Sequence, residues 1–384
     1  MHSQAGLARI VVAYNRDFEN AEADPENRAR EDVENVATHL TARLAARGYE
    51  AIPLGVYDDL AETLAEIRHL APDVVFNLCE SISGDSRFEP LLPMLLEKEG
   101  IAYTGSPPLS LSMAVHKPKA KEILRARGVP TPDSFATSHA DPQPGPQHWT
   151  ELPFPLIVKP AREDASVGIY KESVVRDATA LGARIAHVLS QYRQPALVEQ
   201  YIEGREVYAS LLADSSGEPQ VLPLYEIDFS GLPPSHPRIV SFEGKWVETS
   251  PEYAGTKPVR CELPEDVRAR VAATARAAFT ALELRDYGRV DMRLGNDGIP
   301  YVIDVNPNCD LSHQAGGFAR AAQAAGLTYD DLILRILQQA LIRKHDADTI
   351  PLAIRSRRHR RPDPAGTVST GGDRLRSRTT GRSG

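Results

Sequence analysis

The sequence contains few of the residues that define several large classes of protein. Its 384 residues include only three cysteines, Cys79, Cys261 and Cys309, which are widely spaced and form no CxxC pair. A disulfide framework or a zinc site is therefore unexpected, and a reducing cytoplasm fits best. No run of 18 apolar residues occurs, so no membrane-spanning helix is predicted. The first residues also lack the charged start, apolar stretch and cleavage site of a signal peptide.

Charge is distributed unevenly along the chain. The formal net charge is −8, but the segment from residue 351 onward holds nine Arg and two Asp, a net of +7, which leaves −15 for the remainder. Because this segment has almost no apolar residues, we expect residues 349–384 to form a basic disordered tail. Such a tail could contact anionic partners such as RNA or anionic lipid, although a solvated tail with no specific partner is the more common case.

The length of the chain suits two or three domains, and its first third alternates strand and helix patterns. Apolar runs predict strands and periodic stretches predict helices: strands at 8–13, 51–54, 73–78 and 101–104, with helices at 33–47, 60–70 and 90–99. This order predicts an open parallel sheet with helices on both faces. Such sheets often bind ligands at the carboxyl ends of their strands, where Asn77, Glu80 and the loop 81–87 lie. No GxGxxG motif follows the first strand, which disfavours an NAD(P) enzyme.

The rest of the chain mixes strands with fewer helices. Helices are predicted at 118–127, where Pro118 suits the first helical position, and at 177–193, 265–282 and 329–345. Strands are predicted at 156–159, 169–171, 196–201, 207–213 and 221–227. A polar loop is expected at 137–150. The irregular segment 229–258 is rich in Pro, Gly, Ser and charge, and such a long loop is either functional or disordered.

The segment 288–308 is the most informative stretch. Two extended runs flank the turn 296–298, which predicts a hairpin. Asp291 and Asp304 would then point from neighbouring strands towards one spot, with Asn306 on the same face. Two carboxylates and an amide oxygen suit Mg²⁺, and Arg289 would add a fixed positive charge nearby. On this spacing alone, acidic residues at the mouth of a hairpin are more often simply solvated.

Four motifs, in a fixed order, carry a family resemblance. They are GIAYTGSPPLSLSMAVHKPKAKEILRARGVPTP, FPLIVKPAREDASVGIYK, LVEQYIEGREVYASLL and GRVDMRLGNDGIPYVIDVNPN. Across residues 8–345 the chain resembles the ATP-grasp carboxylate–amine ligases, most closely the D-alanine–D-alanine ligase group. The resemblance implies an α/β fold in which an N-terminal open parallel sheet (the pre-ATP-grasp domain) precedes a two-lobed α+β ATP-grasp domain. The implied domains are 1–115 for the N-terminal sheet, 116–210 for the small lobe, and 211–348 for the large lobe with the metal and substrate site.

The resemblance also implies an ATP site. The implied set is Lys117 and Lys159 at the phosphates, Glu199 at the adenine amino group, the backbone of Ile202 at the ring edge, and Glu206 at the ribose hydroxyls. Lysines suit this task as flexible point charges. Lys159 ends a buried-looking strand, whereas Lys117 has nearby lysines and could simply be exposed with Lys119 and Lys121.

Catalytic and metal residues are implied in the same way. The loop 165–168 is similar to the phosphate-covering Ser-Ser-Val-Gly loop of the family and contributes Ser166. Arg289 falls on the arginine that steadies the developing oxyanion, and Lys245 on the lysine of a mobile lid, for which 229–258 is a suitable segment. The implied Mg²⁺ ligands, which would also accept Mn²⁺, are Asp291, Asp304 and Asn306. Asp304 replaces the usual glutamate and is one methylene shorter.

The implied reaction converts a carboxylate into an acyl phosphate with ATP and then joins it to an amine. The segments that would choose the substrates depart from the family: NRDFENAEADPENRARED, FNLCESISGDSRFEP, and NPNCDLS, which puts Asp310 where a glycine backbone would cradle the substrate. D-Ala–D-Ala synthesis, ligation of other amino acids or peptides in specialised metabolism, and nucleotide binding without ligation therefore stay open. The resemblance implies small-molecule amino-acid or carboxylate substrates and a homodimer formed through the N-terminal domain.

Overall fold

The computed structural model describes residues 8–16, 28–139, 152–313 and 316–349. The chain clusters into two units, Met1–Lys344 and His345–Gly384, and the fold described below belongs to the first. The predicted basic tail and most of the predicted loop 137–150 lie outside the described residues. No helix in the described part of the chain is long and apolar enough to cross a membrane.

The N-terminal region forms the predicted open parallel sheet. Its four strands are β1 (Arg9–Asn15), β2 (Glu50–Val56), β3 (Val74–Asn77) and β4 (Ala102–Tyr103), in the order β2-β1-β3-β4. The connecting helices are α1 (Arg28–Ala46), α2 (Leu60–Leu70) and α3 (Leu91–Glu99). Asp59 caps α2 by accepting hydrogen bonds from the amides of Ala61 and Glu62, which explains why this helix begins where its apolar period starts.

Both faces of this sheet are buried, because alternate residues of β1 and β3 pack on opposite sides. Val11 and Val75 lie in a core with residues of α2 and α3. Ile10 and Phe76 face α1 and two helices from the far end of the chain, α10 (Gly317–Ala324) and α11 (Tyr329–Thr349). The sheet is therefore covered on one face by segments that follow it by more than two hundred residues. Helix α10 was not predicted.

A buried carboxylate joins the first sheet to the C-terminal part of the same unit. Asp286 accepts hydrogen bonds from the amide of Gly105 at 2.8 Å and from both terminal nitrogens of Arg343, at 2.6 and 2.7 Å. Arg343 also donates to the carbonyl of Tyr103 at 2.8 Å. Because Asp286 is 3% exposed, removing the arginine would leave an unpaired buried charge.

The next region is a small antiparallel sheet with three helices. Its elements are α4 (Pro108–Val115), α5 (Lys117–Ala126), β5 (Ser134–Thr137), β6 (Leu156–Pro160), β7 (Val174–Val175), α6 (Ala178–Tyr192) and β8 (Ala196–Gln200), with strand order β5-β8-β6-β7. Neither α4 nor β5 was predicted. Pro118 is the second helical residue of α5 rather than the first, because His116 is the N-cap and accepts from the amide of Lys119.

The predicted strand at 169–171 is wrong. A 3₁₀ turn spans Lys171–Ser173, and the strand starts only at Val174. The carbonyl of Ile169 accepts a hydrogen bond from the amide of Phe242 at 2.7 Å, so the backbone here is used by a distant segment rather than by a neighbouring strand.

The last region is a six-stranded antiparallel sheet. Its elements are β9 (Gly204–Ala213), β10 (Pro219–Val221), β11 (Tyr225–Asp228), α7 (Phe242–Trp246), α8 (Pro251–Gly255), β12 (Lys257–Arg260), α9 (Glu265–Ala281), β13 (Tyr287–Gly295) and β14 (Pro300–Asn306). The order is β12-β11-β9-β13-β14, with β10 also on β9. The single strand predicted at 221–227 is two strands, separated where Pro223 cannot donate to a ladder.

The segment 229–258 is more regular than its composition predicts. It contains the two short helices α7 and α8, each begun by a serine. Ser241 accepts from the amide of Gly244 at 3.1 Å, and Ser250 accepts from the amide of Tyr253 at 3.0 Å. Helices this short give no periodic signal, which explains why only an irregular segment was predicted.

Candidate active site

The predicted hairpin is present as β13 and β14, and it brings four polar residues together. Asp291 lies directly opposite Asp304, and Arg289 lies opposite Asn306 two positions further on. Residues opposite one another in an antiparallel pair point to the same face, so all four side chains share one face. A register shift follows Asp291, which places the pair beside an irregularity in the middle of the ladder.

Arg289 is held by the carboxylate two residues away. Its Nε and Nη2 donate to the two oxygens of Asp291 at 2.6 and 2.8 Å, and its guanidinium lies 5.0 Å from the centre of the Tyr208 ring. Burial disfavours the charge, but Asp291 outweighs burial and holds the pKa of Arg289 well above its usual range. A fixed cation in a pocket is suited to stabilising an oxyanion.

The hairpin has the composition of a magnesium site. Asn306 donates from its amide nitrogen to Asp291 at 3.1 Å, and turning the amide would present its oxygen instead. Within the described residues, no group of three or more His, Cys, Asp or Glu could hold a metal. Asp291, Asp304 and Asn306 supply fewer ligands than a closed cage. That suits Mg²⁺, which keeps waters and takes other ligands from phosphates.

Lys117 is buried at the other side of Asp304. Its ammonium lies 2.7 Å from Asp304 and 2.8 Å from Asp164, a residue of the loop 163–168. Burial opposes the charge, but the two carboxylates outweigh burial and hold the pKa of Lys117 above its ordinary value. The alternative that Lys117 is simply exposed is wrong, because its side chain is 5% exposed.

Two lysines hold the carboxylate of Glu199. Lys159 lies 2.6 Å from Oε2, and Lys121 contacts Oε1. All three side chains are at most 8% exposed. Burial would raise the pKa of Glu199, but the two ammonium groups lower it below its ordinary value. Of the three neighbouring lysines on α5, only Lys119 is exposed.

Glu206 and Ile202 are linked by one arginine of β13. Arg293 donates to Glu206 at 3.2 Å and, through Nε, to the carbonyl of Ile202 at 3.0 Å. Tyr208 donates to the other oxygen of Glu206 at 2.9 Å. Burial raises the pKa of Glu206, although Arg293 partly opposes that shift. The two residues implied to contact adenosine therefore share a rigid support.

The loop that carries Ser166 lies against the segment that carries Lys245. Ser166 donates its hydroxyl to the carbonyl of Val240 at 3.0 Å, and Trp246 donates its indole nitrogen to the carbonyl of Ala165 at 2.9 Å. Ala165 and Ser166 have φ of 54° and 65°, an uncommon backbone conformation for residues with side chains. The loop of Ser166 and the segment of Lys245 are therefore in direct contact.

Lys245 lies on α7 and lines a cavity that is described below. Its ammonium lies 5.0 Å from the centre of the Trp246 ring. Surrounding protein and the nearby charge of Arg289 lower the pKa of Lys245 below its ordinary value, although Asp310 and Glu80 oppose that shift. The ammonium lines the same cavity as Arg289, where both could meet an anion.

Two further carboxyl groups, Glu80 and Glu89, lie close to Asp310 and Asp164, which line the cavity. Glu80 is exposed to solvent, but the protein that surrounds it and the nearby charge of Asp310 raise its pKa to about 8. Burial, Asp164 and Glu80 raise the pKa of Glu89 well above its ordinary value. Asn308 joins the segment of Glu80 to the segment after β14 that carries Asp310, since it donates to the carbonyl of Cys79 at 2.8 Å.

One cavity of about 640 Å³ brings the predicted site residues together. All eleven residues implied by the family resemblance line it: Lys117, Lys159, Ser166, Glu199, Ile202, Glu206, Lys245, Arg289, Asp291, Asp304 and Asn306. They come from α5, the small sheet and its loop, the large sheet and the segment 229–258, so the cavity exists only when these parts pack together.

Sequence reasoning assigned no role to three charged residues in or behind this cavity. The sequence did point to Asp164, since it directly precedes the loop 165–168 of the family resemblance. Arg289, Asp291 and Arg293 occupy every second position of β13, so the sequence alone could have placed Arg293 on the same face as the other two. Lys121 follows Lys117 by one helical turn, which puts both on one face of α5.

The family model and a named relative that match this chain both belong to the same family. Residues 123–338 match the family described as D-ala D-ala ligase C-terminus. The chain is 31% identical over 304 residues to a D-alanine–D-alanine ligase of Desulforudis audaxviator, covering 78% of this chain and 91% of that protein. It is also 34% identical over 316 residues to the uncharacterised protein y4sG of Sinorhizobium fredii, covering 79% of this chain and 87% of that protein.

Solved structures show the same fold. The crystal structure of D-alanine–D-alanine ligase from Bacillus anthracis complexed with ATP matches with a TM-score of 0.68 at 24% sequence identity, covering 88% of this chain and 99% of that chain. The D-alanine–D-alanine ligase from Coxiella burnetii matches with a TM-score of 0.68 at 18% identity, covering 92% of this chain and 99% of that one. The sheet arrangement described above is therefore an ATP-grasp fold.

Proposed function

Because the chain belongs to the D-alanine–D-alanine ligase family, we propose that it is an ATP-dependent ligase that joins the carboxylate of one amino acid to the amine of another. The product would be a dipeptide, and D-alanine is the first substrate to test. The observation that carries the proposal is the single cavity lined by the eleven implied residues. A protein that only bound nucleotide would have no use for Arg289 beside the hairpin carboxylates.

In the first step, the donor carboxylate attacks the γ-phosphorus of ATP, the bond to the bridging oxygen breaks, and ADP leaves. Lys117 and Lys159 would bind the phosphates, while Ser166 and the backbone of its loop would cover them. Lys117 must exchange its contact with Asp164 for the phosphates. Glu199, Ile202 and Glu206 would hold the adenosine.

In the second step, the acceptor amine attacks the carbonyl carbon of the acyl phosphate and phosphate leaves. Arg289 would stabilise the oxyanion of the tetrahedral intermediate, and its pairing with Asp291 fixes its position beforehand. Lys245 would close over the phosphates from the lid segment, where Trp246 already contacts the loop of Ser166.

We propose Asp291, Asp304 and Asn306 as the residues that hold Mg²⁺, with Mn²⁺ as a substitute ion. The bound ion would neutralise charge on the phosphates. Its binding requires that the contacts of Lys117 with Asp304 and of Asn306 with Asp291 loosen. A homodimer formed through the N-terminal sheet, a cytoplasmic location and contacts of the basic tail with anionic partners also remain proposals, and the first can be tested by light scattering.

The proposal is tested by ADP release with Mg²⁺-ATP across a panel of D- and L-amino acids and small carboxylates, with products identified by mass spectrometry. Stimulation by D-alanine with a product mass of D-Ala–D-Ala would support the parent activity of the family. Stimulation by another pair would keep the ligase chemistry and redirect the specificity. ATP binding without stimulation by any member of the panel would count against the ligase.

A further inference from the structure

Lys121 is a buried cation that the proposed mechanism leaves without a task. It projects from α5, one helical turn after Lys117, and its side chain is 3% exposed. Its ammonium contacts Oε1 of Glu199, donates to the hydroxyl of Thr131 at 3.0 Å and lies 3.4 Å from the carbonyl of Val302. A buried ammonium with three oxygen neighbours is held in one place.

Lys121 lies behind the cavity rather than in its wall. Glu199 and Lys159 line the cavity, whereas Lys121 is not among the lining residues of the described chain. The Oε1 atom that Lys121 contacts is shielded from solvent. The two oxygens of Glu199 therefore have different surroundings: Lys121 holds Oε1 from behind, and Lys159 contacts Oε2 from within the cavity wall.

This arrangement sets the orientation and the net charge that the carboxylate of Glu199 and its lysines present to a ligand. A carboxylate bound to a single lysine can rotate and can neutralise that lysine completely. With Lys121 behind it, the charge of Glu199 is shared between two ammonium groups, and the group of three keeps a net positive charge. Lys159 then remains available to an anion, and the plane of the carboxylate is fixed.

From this geometry we infer that Lys121 is a positioning residue for nucleotide recognition: it orients the carboxylate of Glu199 towards the base and prevents Glu199 from neutralising Lys159. The inference rests on the proposed ATP site. The residues that hold Lys121 are themselves fixed, since Thr131 donates its own hydroxyl to the carbonyl of Val302 at 2.8 Å. Thus α5, the segment after it and β14 are joined at the point where Lys121 contacts Glu199.

The test compares the binding of two nucleotides by calorimetry with the full chain in Mg²⁺ buffer. One nucleotide is ATP, and the other is purine riboside triphosphate, which lacks the amino group on the base. The wild-type chain is expected to bind ATP about tenfold more tightly, the value of one hydrogen bond to a charged group. In Lys121→Met this preference should fall close to one, and ATP affinity should drop by about tenfold or more.

Lys119→Met is the matched control, because it makes the same substitution on the same helix at a side chain that is 62% exposed and pairs with Glu122. It should keep the wild-type preference. If Lys121→Met does not fold, Thr131→Val removes the hydroxyl that holds the ammonium and should lower the preference partially. A purely structural role would change the melting temperature and leave the ratio of the two affinities unchanged.

The outcomes separate the two proposals. A folded Lys121→Met or Thr131→Val variant that keeps the wild-type preference for ATP overturns the inference alone. A wild-type chain that binds both nucleotides equally also overturns it, because Glu199 would then not recognise the amino group. A wild-type chain that binds neither nucleotide overturns the proposed ATP site and, with it, this inference.

Discussion

The two ends of the cavity differ in how their charges are held. At the proposed nucleotide end, Glu199, Asp304 and Asp291 each contact a cation directly, at 3.0 Å or less. At the other end, the surrounding protein and neighbouring carboxylates raise the pKa values of Glu80, which is exposed, and of Glu89, which is buried. The charges at the proposed nucleotide end are thus paired before any ligand binds, and we call this end prepared, whereas the charge at the other end depends on what occupies it. The same division separates the family motifs from the segments that depart from them.

The largest expected effect is at the prepared end. Asp291→Asn should abolish measurable turnover while the fold survives, because it removes a proposed metal ligand and releases Arg289. The loss of such a preorganised contact costs on the order of 10²–10³ in rate. ADP release measures the effect, with circular dichroism as the check on folding.

Asp297→Asn is the matched control for this substitution, since Asp297 lies in the turn of the same hairpin and accepts from the amide of Ile299. It should leave turnover close to wild type. A folded Asp291→Asn variant with near-normal activity would contradict the metal assignment. It would also show that the paired charges at this end of the cavity are not needed for the reaction.

A smaller effect is expected at Glu80. Because its pKa is raised to about 8, the side chain is neutral below that pH and charged above it. Glu80→Gln should leave ATP affinity unchanged and change the KM of the amine substrate by about tenfold above pH 8, the effect of one charged contact. At pH 6 the variant and the wild type should agree.

The measurement is KM between pH 6 and 9.5. Glu66→Gln, at an exposed position of α2, serves as the control and should follow the wild type throughout. A Glu80→Gln variant that follows the wild-type profile above pH 8 would mean that Glu80 does not face the substrate, and the contrast between the two ends would fail.

Asp164→Asn should have a modest effect in the opposite direction. Asp164 shares Lys117 with Asp304 and its side chain is 39% exposed. Its removal should let Lys117 turn to phosphate more readily and raise affinity for metal-free ATP by about two- to fivefold, in line with a partly exposed ion pair. Calorimetry in the presence of a chelator measures this, and weaker binding would show that Asp164 aids the nucleotide instead.

The smallest effect on the reaction is expected at Asp330, which lies outside the cavity and pairs with Arg43 and Arg47. Hydrogen bonding to Arg43 lowers the pKa of Asp330 to about 2, so its contribution to stability is present above about pH 4 and is lost as pH falls through 2. Asp330→Asn should lower the free energy of unfolding by about 1 to 2 kcal/mol at pH 6 and by much less at pH 2. Turnover should not change. Urea titrations at the two pH values measure the difference, and an equal loss at both would contradict the assigned cause.

Local patterns account for what the sequence predicted well. The hairpin of Asp291 and Asp304 follows from alternation and from the turn at 296–298, and both are properties of one short segment. The strands and helices of the N-terminal sheet were predicted because each has its own periodicity and punctuation.

Long-range contacts account for what the sequence did not reveal. The burial of Lys121 depends on Glu199, which belongs to a strand of another part of the chain. The carbonyl of Ile169 accepts a hydrogen bond from the amide of Phe242, so the strand predicted there does not form. The raised pKa of Glu80 depends on Asp310 and on the protein packed around it, and no pattern near Glu80 in the sequence predicts either.

The covering of the N-terminal sheet by α10 and α11 has a consequence for recombination between relatives. A chimera that exchanged residues 1–115 at the implied boundary would place the face of Ile10 and Phe76 against helices from another parent. It would also separate Gly105 from Asp286 and Arg343. Crossovers that keep the N-terminal sheet together with α10 and α11 should give folded hybrids, so the inheritable module is formed by the two ends of the described chain rather than by its first third.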